Sequence, residues 1–248
     1  MRRAALLLAL TAALAGCGGG EDPPPVAAPT PAATPAPVAA PSTARPPAAR
    51  KWRYTTARVA RRTPLRARPG GRALARVGRW TEFGGPRYLG VTGRRGGWLR
   101  VVAPERPNGA HAWIPAERAR LFGTDLSLHI DRSAHRLTVR RGDRVVRRVT
   151  VGVGRPGHET PLGRFAITDK LRMGGPGTTY GCCALALSGR QPRLPAGWSG
   201  GNRLAIHGTN RAGAVGGSLS TGCVHASDAD LRKLMRTIPL GAPVFIRA

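Results

Sequence analysis

The chain has 248 residues, of which 40 are Lys or Arg and 12 are Asp or Glu, so its formal net charge is +28. The arginines are scattered along the sequence without a basic helix or a basic–aromatic repeat, which argues against a nucleic-acid partner despite the high charge. This length allows one or two domains beside a signal or a tether.

The first 17 residues have the layout of an export signal. A basic start, an apolar run from Ala4 to Ala15 and the pair Gly16-Cys17 follow one another. The run is too short to span a bilayer comfortably. Leu14-Ala15-Gly16-Cys17 resembles a bacterial lipobox, which implies that Cys17 is acylated and anchors the protein to the outer face of the bacterial cytoplasmic membrane. The alternative is an ordinary signal peptide with an incidental cysteine.

The next segment, residues 18–52, is predicted to be a disordered tether. It consists mostly of Gly, Pro, Ala and Thr, and such a composition cannot bury a core. A lipid followed by a tether suits an enzyme that works above a membrane on a surface polymer; a spacer of no particular length is the alternative. In this setting a polyanionic wall or anionic lipid headgroups are the expected counter-charge for the arginines.

Residues 53–122 are predicted to form a small all-β module. Short apolar–polar alternations are interrupted by Gly- and Pro-containing turns, a pattern typical of a compact barrel or sandwich. Trp98 and Trp113 are expected in its core rather than on a ligand-binding face. Three stretches resemble bacterial SH3-like wall-associated modules: Leu65-Arg66-Ala67-Arg68-Pro69, Gly97-Trp98-Leu99-Arg100-Val101 and Ala112-Trp113-Ile114-Pro115.

Residues 123–248 are predicted to form a second, mainly β domain with one short helix. Ser227-Asp228-Ala229-Asp230 resembles a helix-capping box, and Leu231, Leu234 and Met235 mark one face of the helix that follows. Pro239 ends that helix. The predicted strands cover residues 126–130, 136–140, 145–153, 203–207 and 243–247, with a turn at residue 160 that enters a further strand.

The chemistry is concentrated between His207 and Ser227. A Gly-rich loop separates His207 from Cys223, and Cys223 follows Ser220-Thr221-Gly222. A thiolate is a strong nucleophile and a nearby imidazole can generate it, so the pair indicates a cysteine acyl-transfer enzyme. Glycine at position 222 would let a substrate carbonyl approach backbone N–H groups.

Four ordered motifs of residues 123–248 resemble the L,D-transpeptidase catalytic domain. The resemblance implies an L,D-transpeptidase-type β-sandwich with one short helix, preceded here by a small SH3-like β-barrel. The motifs are Thr160-Pro161-Leu162-Gly163-Arg164-Phe165, Ile206-His207-Gly208-Thr209, Ser220-Thr221-Gly222-Cys223-Val224 and Gly241-Ala242-Pro243-Val244.

The resemblance also implies a reaction, with peptidoglycan stem peptides as acyl donor and acceptor. Cys223 attacks the amide carbonyl of the third stem residue, the terminal D-alanine leaves, and an amine of a neighbouring stem resolves the thioester to a 3→3 cross-link. His207 is the implied base, and the Gly208 carbonyl orients its ring. The N–H groups of Thr221, Gly222 and Cys223 are the implied oxyanion donors. No cofactor is implied, and carbapenems are implied inhibitors.

Three alternative functions share part of this evidence. Water as the acceptor would make the protein an L,D-carboxypeptidase. An enzyme that attaches proteins to the wall would use the same acyl-enzyme step. A non-catalytic wall-binding protein with the same fold is the third, and the intact His207 and Cys223 argue against it.

Four residues near the pair are predicted to contact substrate: Ser220, His225, Tyr180 and Trp198. His225 stands where the family often has Arg or Asn, and its ring would either touch substrate or act as a second imidazole beside the thiol. A polar rim position is the alternative for His225. For Tyr180 and Trp198 the alternative is a place in the core.

Three cysteines remain after Cys17. Cys182 and Cys183 are expected to be bonded to each other or buried as free thiols, with Cys223 free. A disulfide to Cys223 would disable the enzyme or act as a redox lock. Zinc held by His207, Cys223 and His225 with one of the paired cysteines is a further alternative, but the spacing matches no regular zinc module, so no metal is predicted.

Overall fold

The computed structural model describes residues 52–175 and 177–248. The predicted signal peptide, the lipidation site Cys17 and all but the last residue of the predicted tether lie outside them. The described residues contain no helix that is both long and apolar enough to cross a membrane.

The first seven strands form one antiparallel sheet in the order β3-β2-β6-β5-β4-β1-β7. Its core contains Leu65, Leu89, Leu99, Val101 and Ile114, all fully buried or nearly so. The strands are β1 (Tyr54–Val59), β2 (Thr63–Arg66), β3 (Ala73–Val77), β4 (Tyr88–Arg95), β5 (Trp98–Val102), β6 (Ala112–Pro115) and β7 (Ala119–Thr124), with a 3-10 turn at Ala116–Arg118.

Trp98 and Trp113 lie outside this core, contrary to the expectation from the sequence. Both side chains are half-buried, whereas their neighbours Leu99 and Ile114 are fully buried. Successive side chains of a strand point to opposite faces of the sheet, so a tryptophan next to an inward-facing leucine or isoleucine faces outward.

The remaining strands form a mixed sheet and a small parallel pair. The eight-stranded sheet has the order β10-β9-β8-β17-β12-β13-β14-β16, and β11 pairs with β15. The strands are β8 (Leu126–Asp131), β9 (Arg136–Arg141), β10 (Arg144–Thr150), β11 (Val153–Gly154), β12 (Gly163–Arg172), β13 (Cys183–Arg190), β14 (Arg203–His207), β15 (Ser218–Ser220), β16 (Val224–His225) and β17 (Pro243–Arg247). With helix α1 (Asp228–Thr237), this confirms the predicted mainly β fold with one helix.

Helix α1 begins at the predicted N-cap. The hydroxyl of Ser227 accepts the backbone N–H of Asp230 at 3.1 Å, which satisfies one of the free donors of the first turn. Leu231 and Leu234 are fully buried in the core, and Met235 packs against it. The helix follows β16 after only two residues, so its packing fixes the end of the strand that carries His225.

The first sheet is joined to the second by polar side chains. The buried Thr81 hydroxyl donates to the Asp169 carboxylate. The Asn108 side chain donates to the Arg190 carbonyl at 2.6 Å and accepts the Arg190 N–H at 2.9 Å. Glu82 forms an ion pair with Arg203. All the described residues belong to one compact unit.

Candidate active site

Parallel pairing of β14 with β16 brings His207 and Cys223 into the same cleft. Ile206 lies opposite Val224 and His207 opposite His225, and Cys223 directly precedes this ladder. The Cys223 Sγ donates weakly to the Arg203 carbonyl at 3.8 Å, one strand away. His207, Cys223 and His225 line one cleft of ≈ 300 Å³. The fold therefore brings together an imidazole and a thiol that lie at opposite ends of a Gly-rich loop.

The His207 ring is held by the next residue of the chain. Its Nδ1 lies 2.5 Å from the Gly208 carbonyl oxygen. A carbonyl only accepts, so Nδ1 carries the hydrogen and Nε2 is the nitrogen free to take a proton. The ring is almost completely buried, which restricts it to this orientation.

Burial keeps both groups of the pair uncharged at neutral pH. It raises the pKa of the Cys223 thiol to about 11, against a smaller opposite effect of the Ala205 backbone. It lowers the pKa of His207, and the Gly208 bond acts in the opposite direction. The resting site therefore contains a thiol and a neutral imidazole, and the proton has to move during the reaction.

His225 is a second neutral imidazole beside the first. Its ring centroid lies 4.7 Å from that of His207, in an edge-on arrangement. Burial first, and then repulsion by the protonated form of His207 and by Arg211, lower the pKa of His225 to about 4. His225 thus adds no positive charge at pH 7, and its Nδ1 is buried without a hydrogen-bond partner among the described residues.

The turn before β16 is closed by Ser220. Its hydroxyl accepts the Gly222 N–H at 3.0 Å and donates to the Cys223 carbonyl at 2.5 Å. Gly222 has a φ of 115°, a value that side chains rarely tolerate. Of the three predicted oxyanion donors, the Gly222 N–H is therefore already bonded. Ser220, predicted to contact substrate, is buried and engaged within the turn.

Residues 125–246 match the family model of YkuD, the L,D-transpeptidase catalytic domain. This part of the chain is an L,D-transpeptidase catalytic domain. The match begins one residue before β8 and ends within β17, so it contains the mixed sheet, the helix and the cleft.

Three similar proteins illustrate the extent of the likeness. YkuD of Bacillus subtilis (strain 168) is 30% identical over 113 residues, which are 46% of this chain and 60% of that protein. YkuD of Bacillus licheniformis is 31% identical over 104 residues, 42% of this chain and 54% of that protein. L,D-transpeptidase 3 from Mycobacterium tuberculosis, solved in complex with a faropenem-derived adduct, is 19% identical with a TM-score of 0.42, covering 56% of this chain and 73% of that one. The chain thus spans less than two thirds of either Bacillus relative.

The side chain of Gln191 supports the turn that carries Cys223. Its side-chain NH₂ lies 3.1 Å, 3.2 Å and 3.3 Å from the carbonyl oxygens of His158, Glu159 and Thr221. A Cβ at Gly222 would collide with this amide nitrogen. The sequence did not indicate Gln191, because it lies 30 residues before Thr221 and belongs to no motif.

Tyr180 and Trp198 form aromatic walls of the cleft. The Tyr180 ring centroid is 4.9 Å from that of His207. The Trp198 indole N–H donates to the Gly201 carbonyl at 2.6 Å, which fixes the ring on its loop. Both side chains line the cleft and are exposed, so neither belongs to the core.

Cys182 and Cys183 are bonded to each other, and Cys223 is a free thiol. This excludes the two other cysteine arrangements that the sequence left open. The Asp228 carboxylate accepts the Cys182 N–H at 3.0 Å. Gly181 and Gly208 pack closely against each other and against that carboxylate. A Cβ on either glycine would collide with the carboxylate and with the Cα of the other glycine. The disulfide segment therefore supports Gly208, whose carbonyl orients His207.

The cleft is cationic. Arg155, Arg203 and Arg211 line it, and no Asp or Glu is among its described lining residues. Within residues 52–175 and 177–248, no group of three or more His, Cys, Asp and Glu side chains is arranged to hold a metal ion. The arrangement suits an anionic acyl donor whose carbonyl carbon is attacked by a thiol.

Proposed function

We propose that the protein is a peptidoglycan L,D-transpeptidase that forms 3→3 cross-links through a thioester on Cys223. The observation that carries the proposal is the parallel β14–β16 ladder, which sets a buried His207 and a free Cys223 in one cleft. The match of residues 125–246 to the L,D-transpeptidase catalytic domain supports the reaction class.

Acylation begins when the Cys223 sulfur attacks the carbonyl of the third stem residue. His207 Nε2 takes the S–H proton during the attack, because a thiol with a pKa of about 11 is not ionised beforehand. The N–H groups of Thr221 and Cys223 stabilise the oxyanion, since the Gly222 N–H is bonded to Ser220. The protonated His207 then gives its proton to the leaving amine of D-alanine, and the thioester remains.

Deacylation reverses these roles. The amine of an acceptor stem attacks the thioester carbonyl, and neutral His207 takes the proton that this nitrogen loses. The intermediate collapses to an amide, and the proton returns to the Cys223 sulfur. No cofactor enters either half of the cycle.

The walls of the cleft are proposed to bind the stem peptides. Arg155 and Arg211 suit the carboxylate of the terminal D-alanine, because guanidinium groups bind carboxylates through charge-assisted hydrogen bonds. Tyr180 and Trp198 offer exposed rings, and His225 lines the same cleft. We assign Ser220 to holding the turn, since both functions of its hydroxyl are used there.

The cellular setting is proposed from the sequence alone. A lipid on Cys17 would anchor the protein to the outer face of the cytoplasmic membrane, and residues 18–52 would let it reach into the wall. Carbapenems are the proposed inhibitors, because opening their strained amide by a thiol gives an acyl-enzyme.

Product analysis with a soluble disaccharide-tetrapeptide tests the proposal. The purified protein is expected to give a 3→3 cross-linked dimer and free D-alanine, and Cys223→Ala is expected to give neither. A tripeptide without dimer would identify an L,D-carboxypeptidase instead. No product from a folded protein that carries a free thiol would overturn both readings and favour a non-catalytic wall-binding role.

A further inference from the structure

A second cavity lies on the first sheet. It measures ≈ 200 Å³ and is lined by Arg58, Val59, Ala60, Arg79, Trp80 and Arg120. None of these residues lines the cleft that contains Cys223, so the cavity is separate from the proposed reaction. Its lining combines three cations with one large aromatic ring, and no acidic side chain is among the described lining residues.

Two of the cations stand directly opposite each other. Arg58 of β1 and Arg120 of β7 are register partners in the antiparallel ladder. Like charges at such positions destabilise a sheet. Neither arginine, nor Arg79, forms an ion pair with any described residue, and all three are exposed. The sheet thus tolerates an uncompensated positive cluster at this place.

The Trp80 ring beside the cluster is exposed, and hydrogen bonds hold the backbone that carries it. Trp80 is 54% exposed, and the Arg79 guanidinium lies 5.8 Å from its ring centroid. Its backbone is held by the buried Arg87, whose guanidinium donates to the carbonyls of Gly78 at 3.1 Å and Trp80 at 2.9 Å and pairs with Glu105 at 2.6 Å. The side chain therefore projects from a fixed loop, which lowers the entropy lost when a ligand binds.

We propose that this cavity binds an anionic saccharide. The apolar C–H face of a sugar ring packs on a flat indole, and arginines bind carboxylate or phosphate groups in a fork geometry. The size of the cavity suits one ring. Single-stranded nucleic acid would need a row of aromatic side chains, and a lipid surface would need an apolar rim. Apart from its three arginines, the lining offers one ring and two short apolar side chains.

Binding measurements with defined glycans test this proposal. The full chain is expected to bind hexagalacturonate, which carries carboxylates, or a phosphorylated mannan oligosaccharide, and to bind neutral chitohexaose much more weakly. Comparing the affinity for hexagalacturonate with that for the phosphorylated mannan shows whether the site prefers a carboxylate or a phosphate. Trp80→Ala is expected to weaken binding about tenfold, as for a central aromatic contact, and to leave turnover of a soluble disaccharide-tetrapeptide unchanged.

A second variant separates binding from folding. Arg120→Gln removes the like-charge opposition, so it is expected to weaken acidic-glycan binding while the thermal midpoint stays equal or rises. Arg144→Gln, on the exposed edge strand β10, is the matched control and should leave binding unchanged. Equal losses for Arg120→Gln and Arg144→Gln, unchanged binding in Trp80→Ala, or no binding of either acidic glycan would overturn the proposal. Trp80-dependent binding of single-stranded DNA or of phosphatidylglycerol vesicles would overturn the saccharide assignment.

Discussion

At the residue scale, the reactive pair consists of two neutral groups. Burial raises the pKa of Cys223 to about 11 and lowers that of His207. Both shifts disfavour a resting thiolate–imidazolium pair, so in the proposed reaction His207 takes the proton only while the sulfur attacks. A thiol that stays protonated in this way is protected from chance alkylation and oxidation, which depend on the thiolate.

The pH dependence of Cys223 alkylation follows from this protonation state. With a pKa of about 11, roughly 1 thiol in 10⁴ is ionised at pH 7. The rate of iodoacetamide alkylation, mapped to Cys223 by mass spectrometry, is therefore expected to rise about tenfold per pH unit from 7 to 10. A rate that stays constant between pH 6 and 9 would show a preformed ion pair and contradict this account.

Gln191 is predicted to act as a positioning residue for the turn that carries Cys223. Gln191→Glu would set a carboxylate against the carbonyl oxygens of His158, Glu159 and Thr221, so the turn has to shift. We expect carbapenem acylation of Cys223 to slow about tenfold or more, since misplaced oxyanion donors are worth up to 10²–10³ in rate.

Gln191→Met is the matched variant, since it keeps the volume and removes the amide. It should fall between wild type and Gln191→Glu in the acylation rate. A lowered thermal midpoint in both variants with an unchanged acylation rate would reduce Gln191 to a purely structural role.

The reactive pair could be predicted because His207 and Cys223 lie in one short, motif-rich stretch. Gln191 could not, since its importance comes from three carbonyls that only the fold assembles. The Cys182–Cys183 bond was left open for a similar reason: spacing alone does not distinguish two bonded neighbours from two buried thiols.

At the element scale, β14 connects the cleft to the first sheet. It ends on His207, and the Arg203 carbonyl at its start accepts the Cys223 thiol. The Arg203 guanidinium also donates to the Leu187 carbonyl and the Thr168 hydroxyl and pairs with Glu82 of the first sheet. One strand therefore carries the proposed base and is supported by a residue outside the transpeptidase domain.

Glu82→Gln tests this support. The Arg203 side chain is only 11% exposed, so the substitution deprives a mostly buried guanidinium of its charged partner. Glu82 is 42% exposed, so solvent replaces part of the lost interaction. We expect the free energy of unfolding in urea to fall by about 1 kcal/mol. Glu117→Gln, which removes an exposed pair with Arg118 at 3.6 Å, should change it little. Equal changes in the unfolding free energy of Glu82→Gln and Glu117→Gln would show that the Glu82–Arg203 pair does not stabilise the fold.

The longest strand that the sequence failed to predict is buried on both faces. β13 (Cys183–Arg190) lies in the middle of the mixed sheet, and all its residues except the last are buried. Its run of small and apolar residues has no alternation, so periodicity does not distinguish it from a buried loop. By contrast β8, β9 and β14, and the capped helix α1, follow clear local signals and lie within one or two residues of their predicted bounds.

At the scale of the whole molecule, the two sheets behave as one body. Thr81, Glu82 and Asn108 of the first sheet bond to Asp169, Arg203 and Arg190 of the second, and all the described residues form one compact unit. These contacts make the first sheet a support of the part of the chain that forms the cleft. Composition did not indicate this, because the contacts join residues that are far apart in the sequence.

A single unfolding transition is the expected consequence. Calorimetry of the protein should give one endotherm whose calorimetric and van't Hoff enthalpies agree, because separating the sheets breaks buried polar contacts of both. Two resolved transitions, the first leaving the acylation of Cys223 intact, would show that the sheets fold and function independently.

The most direct test of the central claim is the mass of the protein quenched during turnover of a disaccharide-tetrapeptide. The account predicts an acyl adduct that lacks the terminal D-alanine, mapped to Cys223, formed more slowly in His207→Gln and absent in Cys223→Ala. Cross-linked product formed without such an adduct, or an adduct on another residue, would contradict it.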